Sequence, residues 1–286
     1  MTPALPARPV LKWAGGKTQL LPQILGRLPE RIETYYEPFM GGAAVFFALA
    51  AQDRFRSAVL ADRNPELVAV YHALQADVEA VIRALARMRH SEEEYYRVRA
   101  QSPRGLVQRA ARVIYLNKTG YNGLYRVNRS GQFNVPFGKY KNPTICDSEN
   151  LRAAARVLCR VQIEVVDFEE LCARAGPGDA VYLDPPYVPL SRTASFTAYD
   201  RHPFGASEQE RLARVFGELE QRGVHALLSN SDTPETRALY RGFQAQRVKV
   251  TRPINSRGSA RGAIDELLVV AEPRRARLRR PRSRAS

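Results

Sequence analysis

At 286 residues, with 44% apolar and 26% charged residues and a formal net charge of +15, the chain can bury a sizeable core, and its ordinary composition excludes wholesale disorder. Its three cysteines, Cys146, Cys159 and Cys172, form no C-x-x-C pair and only four histidines are present, so neither a disulfide framework nor a metal site is suggested. The basic excess favours a polyanionic partner, nucleic acid first.

Short apolar runs bounded by turn residues predict buried strands at TYYEP (34–38), SAVLAD (57–62), VQIEVVD (161–167), DAVYLD (179–184) and VHALLSN (224–230). Helical spacing marks Gln19 to Leu28, Ala43 to Ala51, Leu67 to Met88 and Glu208 to Gln221, the last with Ser207 and Glu210 placed like a capping box. Strands alternating with helices imply an α/β fold with a parallel, helix-covered sheet. From about 70 to 145 the alternation breaks: helical pattern runs to Leu116, then a polar, glycine-rich stretch follows. Two final strands, Arg247 to Thr251 and Glu266 to Ala271, joined across Asn255 to Gly262, suggest a hairpin-like ending. The expected division is a discontinuous catalytic domain (1–70 and 146–272), an inserted recognition domain (71–145) and a basic disordered tail (273–286).

That tail holds seven arginines and no acid, and it either adds non-specific phosphate attraction or merely solubilises the chain. Residues 1–13 contain no apolar core of signal-peptide length, and no run of about 18 apolar residues occurs. The expectation is a cytoplasmic protein without a membrane partner.

The strongest chemical signal is Asp184-Pro185-Pro186-Tyr187, directly after the apolar AVYL run, where an open α/β sheet carries its ligand loops. Consecutive prolines stiffen the loop and push Pro185 out of the helical region. An exocyclic base amine is a poor nucleophile because its lone pair is delocalised into the ring. The Asp184 carboxylate and Pro185 carbonyl could hold its two hydrogens, and Tyr187 could stack an extruded base. The alternative is a proline-stiffened surface turn.

Glu37-Pro38-Phe39-Met40-Gly41-Gly42-Ala43 also follows a strand and opens a helix, with glycines that let a ligand approach the backbone. Asp62 ends the next strand, where an acid can hold ribose hydroxyls. Strand, glycine turn, helix, strand and acid together point to an adenosine-containing cofactor. Asp167, followed by Phe168, is either an acceptor for the adenine amine or a helix N-cap. In Lys12-Trp13-Ala14-Gly15-Gly16-Lys17-Thr18 the phosphate-loop pattern fails, because position 11 is Leu11 rather than glycine. That segment either packs Trp13 on the cofactor and contacts DNA, or buries Trp13 in the core.

Between Lys118 and Lys141, rings and cations interleave: Tyr121, Tyr125, Arg126, Arg129, Phe133, Lys139, Tyr140 and Lys141. Asn122 suits adenine and Arg126 suits guanine. A twisted hairpin with solvated charges is the alternative for any one of them.

Taken in order, KWAGGK, EPFMGG, LADRNPEL, NKTGYNGLYRVNRSGQFNVPFGKYKNP, LDPPYVPLS, FTAY, LLSNSD and GSARGAIDELL resemble the DNA adenine N6-methyltransferase (Dam-like) family, alpha group of amino-methyltransferases, over about residues 9 to 272. The resemblance implies a Rossmann-like methyltransferase sheet, an inserted, mostly helical DNA-recognition domain, S-adenosylmethionine as methyl donor, and adenine in GATC as target. By matching motif, Trp13, Lys17, Asp62 and Asp184 belong to the cofactor site. Lys12, Tyr121, Asn122, Leu124 and Arg126 belong to the DNA interface, with Arg126 reading a guanine and the Tyr121-Asn122 turn wedging into the stack. Pro136 and Tyr140 fall in the same matched hairpin, and Ser191 lies near a phosphate. Ala43 departs from the family, which often has glycine there, and Tyr125 replaces a smaller residue.

The resulting expectation is methyl transfer to N6 of a flipped adenine in duplex DNA by a monomer, with a restriction endonuclease for the same site as a further partner. Rivals are an RNA adenine methyltransferase, a glutamine methyltransferase, disfavoured because Asp rather than Asn stands at 184, and a catalytically silent DNA-binding protein.

Overall fold

The computed structural model describes residues 6–13, 16–128, 130–188, 204–251 and 263–273. Strands β1 (Ile32–Glu37), β2 (Phe55–Ala61), β3 (Gln162–Glu164), β4 (Ala180–Leu183), β5 (His225–Ser231), β6 (Gln244–Thr251) and β7 (Ala263–Ala271) build one sheet in the order β3-β2-β1-β4-β5-β7-β6. The first five are parallel, and β7 runs antiparallel between β5 and β6. This is a Rossmann-like sheet. The chain winds outward from β1 to β3, then restarts at β4 on the other side of β1. Such a reversal opens a crevice beyond the carboxyl ends of β1 and β4.

Period-two alternation sends side chains to two separate cores. Tyr35, Ala180, Tyr182 and Leu227 face one apolar layer, while Tyr36, Val181, Leu183, Ala226 and Leu228 face the other. The first layer is covered by α1 (Leu21–Leu25), α2 (Ala44–Ala51), α3 (Pro65–Ala86), α4 (Glu92–Ala100), α5 (Leu106–Thr119) and α6 (Ser148–Leu158). The second is covered by α7 (Phe168–Cys172), α8 (Ala206–Gln221) and α9 (Pro234–Leu239). Central strands buried on both faces explain why β4 reads as a continuous apolar run. The edge strand β6 leaves Arg247 and Lys249 exposed, charges that oppose edge-to-edge pairing.

Three expectations are corrected. The run 161–167 yields only Gln162–Glu164 as strand, and Asp167 lies beyond it as the N-cap of α7. Helix α1 is five residues long and stops at Gly26 rather than continuing to Leu28. No capping box forms at Ser207: α8 starts at Ala206 with Gly205 at the cap and no side-chain cap bond. Phe204 is held against Phe39 and Phe168, with ring centroids 5.7 and 5.9 Å away, and this packing sets where the chain enters the helix. The long α3 is kinked at non-helical Asp77, whose carboxylate caps the second half by accepting from Ala80 N at 2.8 Å. The loop Asn255 to Gly262, FTAY and the arginine tail from 274 lie outside the described residues, and no described helix is long and apolar enough to cross a membrane.

Helix α2 has no polar side chain at its own N-cap position. Its N-cap residue, Ala43, is fully buried in the left-handed region at φ 53° and ψ 37°. Alanine there costs roughly 1–2 kcal/mol, whereas the extra freedom of an unfolded glycine costs about 0.5–1 kcal/mol. Losing the buried methyl costs about a further 0.8 kcal/mol, so the terms nearly cancel and Ala43→Gly is expected to leave the melting temperature within about 2 °C of the wild type. A fall of more than about 3 °C in a thermal scan would contradict the strain.

Candidate active site

Strand order brings separate stretches of chain to the crevice. Glu37 ends β1, Asp62 follows β2, Asp184 to Tyr187 follow β4, and Ser229 to Ser231 end β5. Because β7 is antiparallel, its early residue Glu266 arrives at the same end, opposite Ser231.

At the centre, Lys17 is 4% exposed and its Nζ lies 2.8 Å from Asp184 Oδ1. The same ammonium sits over the Tyr187 ring, 4.8 Å from its centroid, within cation–π range. Ser229 Oγ donates to Asp184 Oδ1 at 2.9 Å and lies 2.9 Å from the Tyr182 hydroxyl. Tyr187 Oη donates to Glu266 Oε2 at 2.7 Å. Burial of its hydroxyl, followed by the Asp184 and Glu266 charges, holds the Tyr187 phenol proton well above the ordinary range.

The loop after β4 is secured by polar side chains as well as by its prolines. Gln209 Nε2 on α8 donates to Pro186 O at 2.9 Å, and its Oε1 accepts from Asn230 Nδ2 at 3.0 Å. Asn230 Oδ1 accepts from Val188 N, and Ser231 Oγ donates to Val188 O at 2.7 Å. Gln209, Asn230 and Ser231 are all buried. Sequence reasoning gave no role to them, nor to Ser229 and Glu266. The available signal was polar residues inside otherwise apolar strands, SNS in β5 and Glu266 in β7.

Glu37 is 2% exposed. Its Oε2 accepts from Tyr35 Oη at 2.9 Å and from Phe46 N at 3.2 Å, so a β1 carboxyl supplies the cap that Ala43 cannot. Burial dominates its titration and pushes the acid up to about 8; the Tyr35 hydrogen bond opposes this and Asp184 adds to it.

The glycine turn holds Trp13 tightly. A Cβ on Gly41 would meet Trp13 Cδ1 at 2.7 Å, and one on Gly42 would meet Trp13 Cβ at 3.4 Å. Pro38 is buried, as is Gly41, while Phe39 is half-buried. Asp62 Oδ2 accepts from Gly41 N at 3.2 Å and Oδ1 from Asn64 N at 3.0 Å. Phe39 stacks on Phe168, with centroids 5.4 Å apart. The cap alternative for Asp167 is present: Oδ1 accepts from Glu169 N at 3.0 Å, and Oδ2 pairs with Arg211 Nη2 at 2.9 Å.

The expected DNA-facing residues form a second group. Buried Asn117 on α5 accepts from Lys12 N at 2.8 Å and donates to Lys12 O and Gly123 O at 2.7 and 2.9 Å. One unpredicted amide thus joins the N-terminal loop to the 3-10 turn Tyr121–Gly123. Tyr121 is 47% exposed, and Asn122 is left-handed at φ 54°. Lys12 Nζ lies 5.0 Å from the Tyr140 ring centroid. Leu124 is half-buried, and Pro136 and Lys139 are exposed. Arg126 is exposed and donates from Nε to Asn134 Oδ1 at 2.7 Å. Trp13 stands between the two groups, its ring centroid 5.4 Å from that of Tyr125. Ser191 lies outside the described residues.

The profile of the D12 class N6 adenine-specific DNA methyltransferase family matches residues 13–254. The chain is 41% identical to the Type II methyltransferase M1.LlaDCHI of Lactococcus lactis subsp. cremoris, covering 92% of this chain and 94% of that protein. It is also 41% identical to the Type II methyltransferase M.MjaIII of Methanocaldococcus jannaschii, covering 92% and 98%. The DNA adenine methylase of Escherichia coli K12 is 38% identical, covering 93% and 96%.

Two consequences can be measured. Glu37 stays protonated in the folded chain at neutral pH but ionises on unfolding, so stability falls as pH rises from about 4.5 to about 8. Glu37→Gln should flatten that decline, so that its melting curve gains on the wild type between pH 5 and pH 8.5; parallel curves would refute the assignment. Gly41→Ala combines φ +45° with the Trp13 clash. It should cost about 2 kcal/mol and shift the emission of the single tryptophan. Unchanged emission would show that the indole is not held there.

Proposed function

The chain belongs to the D12 class of N6 adenine-specific DNA methyltransferases, and from its crevice we propose that it transfers a methyl group from S-adenosylmethionine to N6 of an adenine flipped out of duplex DNA, within GATC. One observation carries this reading. Lys17 Nζ satisfies the Asp184 carboxylate and the Tyr187 ring face at once, so a nitrogen donor can occupy the place between acid and ring. A flipped adenine brings such a nitrogen, attached to a ring that can stack.

The residues around the crevice fit the donor. Asp62 and Asp184, with Asp167 nearby, offer acceptors beyond three of the parallel strands for the hydroxyl and amino groups of an adenosyl amino acid, and Glu37 supports the glycine turn from beneath. Gly41 and Gly42 keep the backbone bare of side chains, and Trp13, Pro38, Phe39 and Phe168 provide apolar surfaces. Lys17 can pair with a carboxylate. When bound, S-adenosylmethionine supplies an electrophilic methyl group on a sulfonium centre.

The chain's own part is positioning. Asp184 and the Pro185 carbonyl accept the two amine hydrogens, which turns the nitrogen lone pair out of conjugation with the ring. Pro185 and Pro186 keep these acceptors from relaxing. Tyr187 stacks the base and offsets part of the unstacking cost, a few kcal/mol. Asp184 steadies the nitrogen as it becomes cationic, and the proton leaves afterwards without a strong base. Catalysis therefore rests on orientation and a dry, charged pocket.

The segment 71–145 serves as the recognition domain in this reading. Tyr121 and Asn122 form the wedge, Arg126 reads a guanine, and Lys12, Leu124, Pro136, Lys139, Tyr140 and Ser191 complete the interface. Two of the similar proteins are named Type II methyltransferases, which supports a companion endonuclease cutting the same unmethylated site.

The test is transfer of labelled methyl groups to duplexes containing GATC or single-base variants of it. GATC duplexes should be labelled, Asp184→Ala should lose about 10²-fold or more in rate, and Arg126→Ala should lose about 1–3 kcal/mol of discrimination at one guanine. Near-normal turnover by Asp184→Ala would overturn the mechanism, and labelling at another sequence would overturn the target.

A further inference from the structure

Glu266 is a carboxylate placed where a strand between two neighbours should be apolar. It lies in β7, paired on one side with Ser231 and on the other with Val248, is 4% exposed, and is followed by the buried run Leu267 to Val270. Burying an acid there is costly unless it is hydrogen-bonded and serves a task. Its contact is the Tyr187 hydroxyl, 79 residues away in sequence and 2.7 Å away in space.

That contact determines what Tyr187 can do. A tyrosine ring on a loop can tilt about two torsions, and the prolines before it do not fix those torsions. A hydrogen bond from the phenol to a buried acceptor on a sheet strand does. It also has an electronic effect, because a phenol donating to a carboxylate becomes richer in electron density, which strengthens the attraction of its face for a cation. A cation already stands on that face, the Lys17 ammonium at 4.8 Å.

We propose that Glu266 is a positioning residue for methyl transfer: it fixes the tilt of the Tyr187 ring and enriches the ring face on which the adenine nitrogen turns cationic. The inference rests on the methyltransferase reading of the Asp184 loop. Glu266 touches neither substrate nor donor, and its influence passes through the Tyr187 hydroxyl.

The experiment is a double-mutant cycle on the full chain. Glu266→Gln keeps an acceptor oxygen of the same shape without the charge, Glu266→Ala removes the acceptor, and Tyr187→Phe removes the donor. Single-turnover methyl transfer is measured at saturating donor and DNA. Duplex affinity and the fluorescence of 2-aminopurine at the target position report binding and base extrusion separately. Glu266→Gln should slow transfer several-fold, and Glu266→Ala and Tyr187→Phe roughly tenfold, with affinity nearly unchanged. The altered ring tilt should change the 2-aminopurine signal in Glu266→Ala and be largely rescued in Glu266→Gln.

In the Tyr187→Phe background, Glu266→Gln should have no further effect on the rate. Additive effects, or Glu266 variants that only lower the melting temperature and transfer at the normal rate, would overturn the proposal. Asp184→Ala is the control that separates the two readings. If it abolishes transfer while the Glu266 variants are normal, only the positioning role fails; if it too is normal, the reading beneath it fails.

Discussion

The ion pair between Lys17 and Asp184 is the constraint on which the crevice depends. A lysine ammonium 4% exposed has lost nearly all of its hydration, a cost recovered only if a carboxylate stands within bonding distance. Asp184 provides it at 2.8 Å. The N-terminal loop is thereby held across the end of β4, and everything the loop carries is placed with it. Trp13 comes to rest on Gly41, and a side chain at that glycine would occupy the indole's space. A glycine read in sequence as room for a ligand is, in the structure, room for Trp13.

Acids crowd the same small volume, and their environments divide the labour. Glu37, buried beneath the crevice and bonded to Tyr35 and Phe46, is held neutral by burial and caps a helix. Asp184 has a cation and a hydroxyl on one oxygen. Glu266 accepts the phenol of Tyr187. Were all three ionised side by side, mutual repulsion would work against the compact state. Keeping Glu37 neutral relieves that repulsion.

How much of this was legible in the sequence depends on the range of the interaction that carries it. Buried strands were legible, since a strand covered on both faces must be a short apolar run between turns, as AVYL is. The Asp184 loop was legible because an acid and two prolines beside such a run have little structural excuse. What escaped were partners chosen by the fold. Ser229, Glu266, Gln209 and Asn117 each satisfy a group dozens of residues away, and no local spacing encodes that distance. Short-range details also slipped where packing overrode propensity: Phe204 on its aromatic neighbours moves the start of α8 ahead of Ser207, and Asp167 stands beyond a strand that ends at Glu164. Apolar runs establish which strands are buried but not their order in the sheet, and both that order and the antiparallel insertion of β7, which delivers Glu266, needed the three-dimensional arrangement.

Reading of DNA and chemistry on a base must be coupled, and the loop from Lys12 to Lys17 shows how short that coupling is. Lys12 is tied through Asn117 to the Tyr121–Gly123 turn; Lys17, five residues on, is bonded to Asp184. Trp13 fills the space between, against Tyr125 on one side and the glycine turn on the other. Asn117 grips both sides of this junction, and a buried amide cannot release either without leaving polar atoms unpaired. Six residues of chain thus connect the Asn117 junction to the Asp184 carboxylate, a shorter connection than any through the sheet.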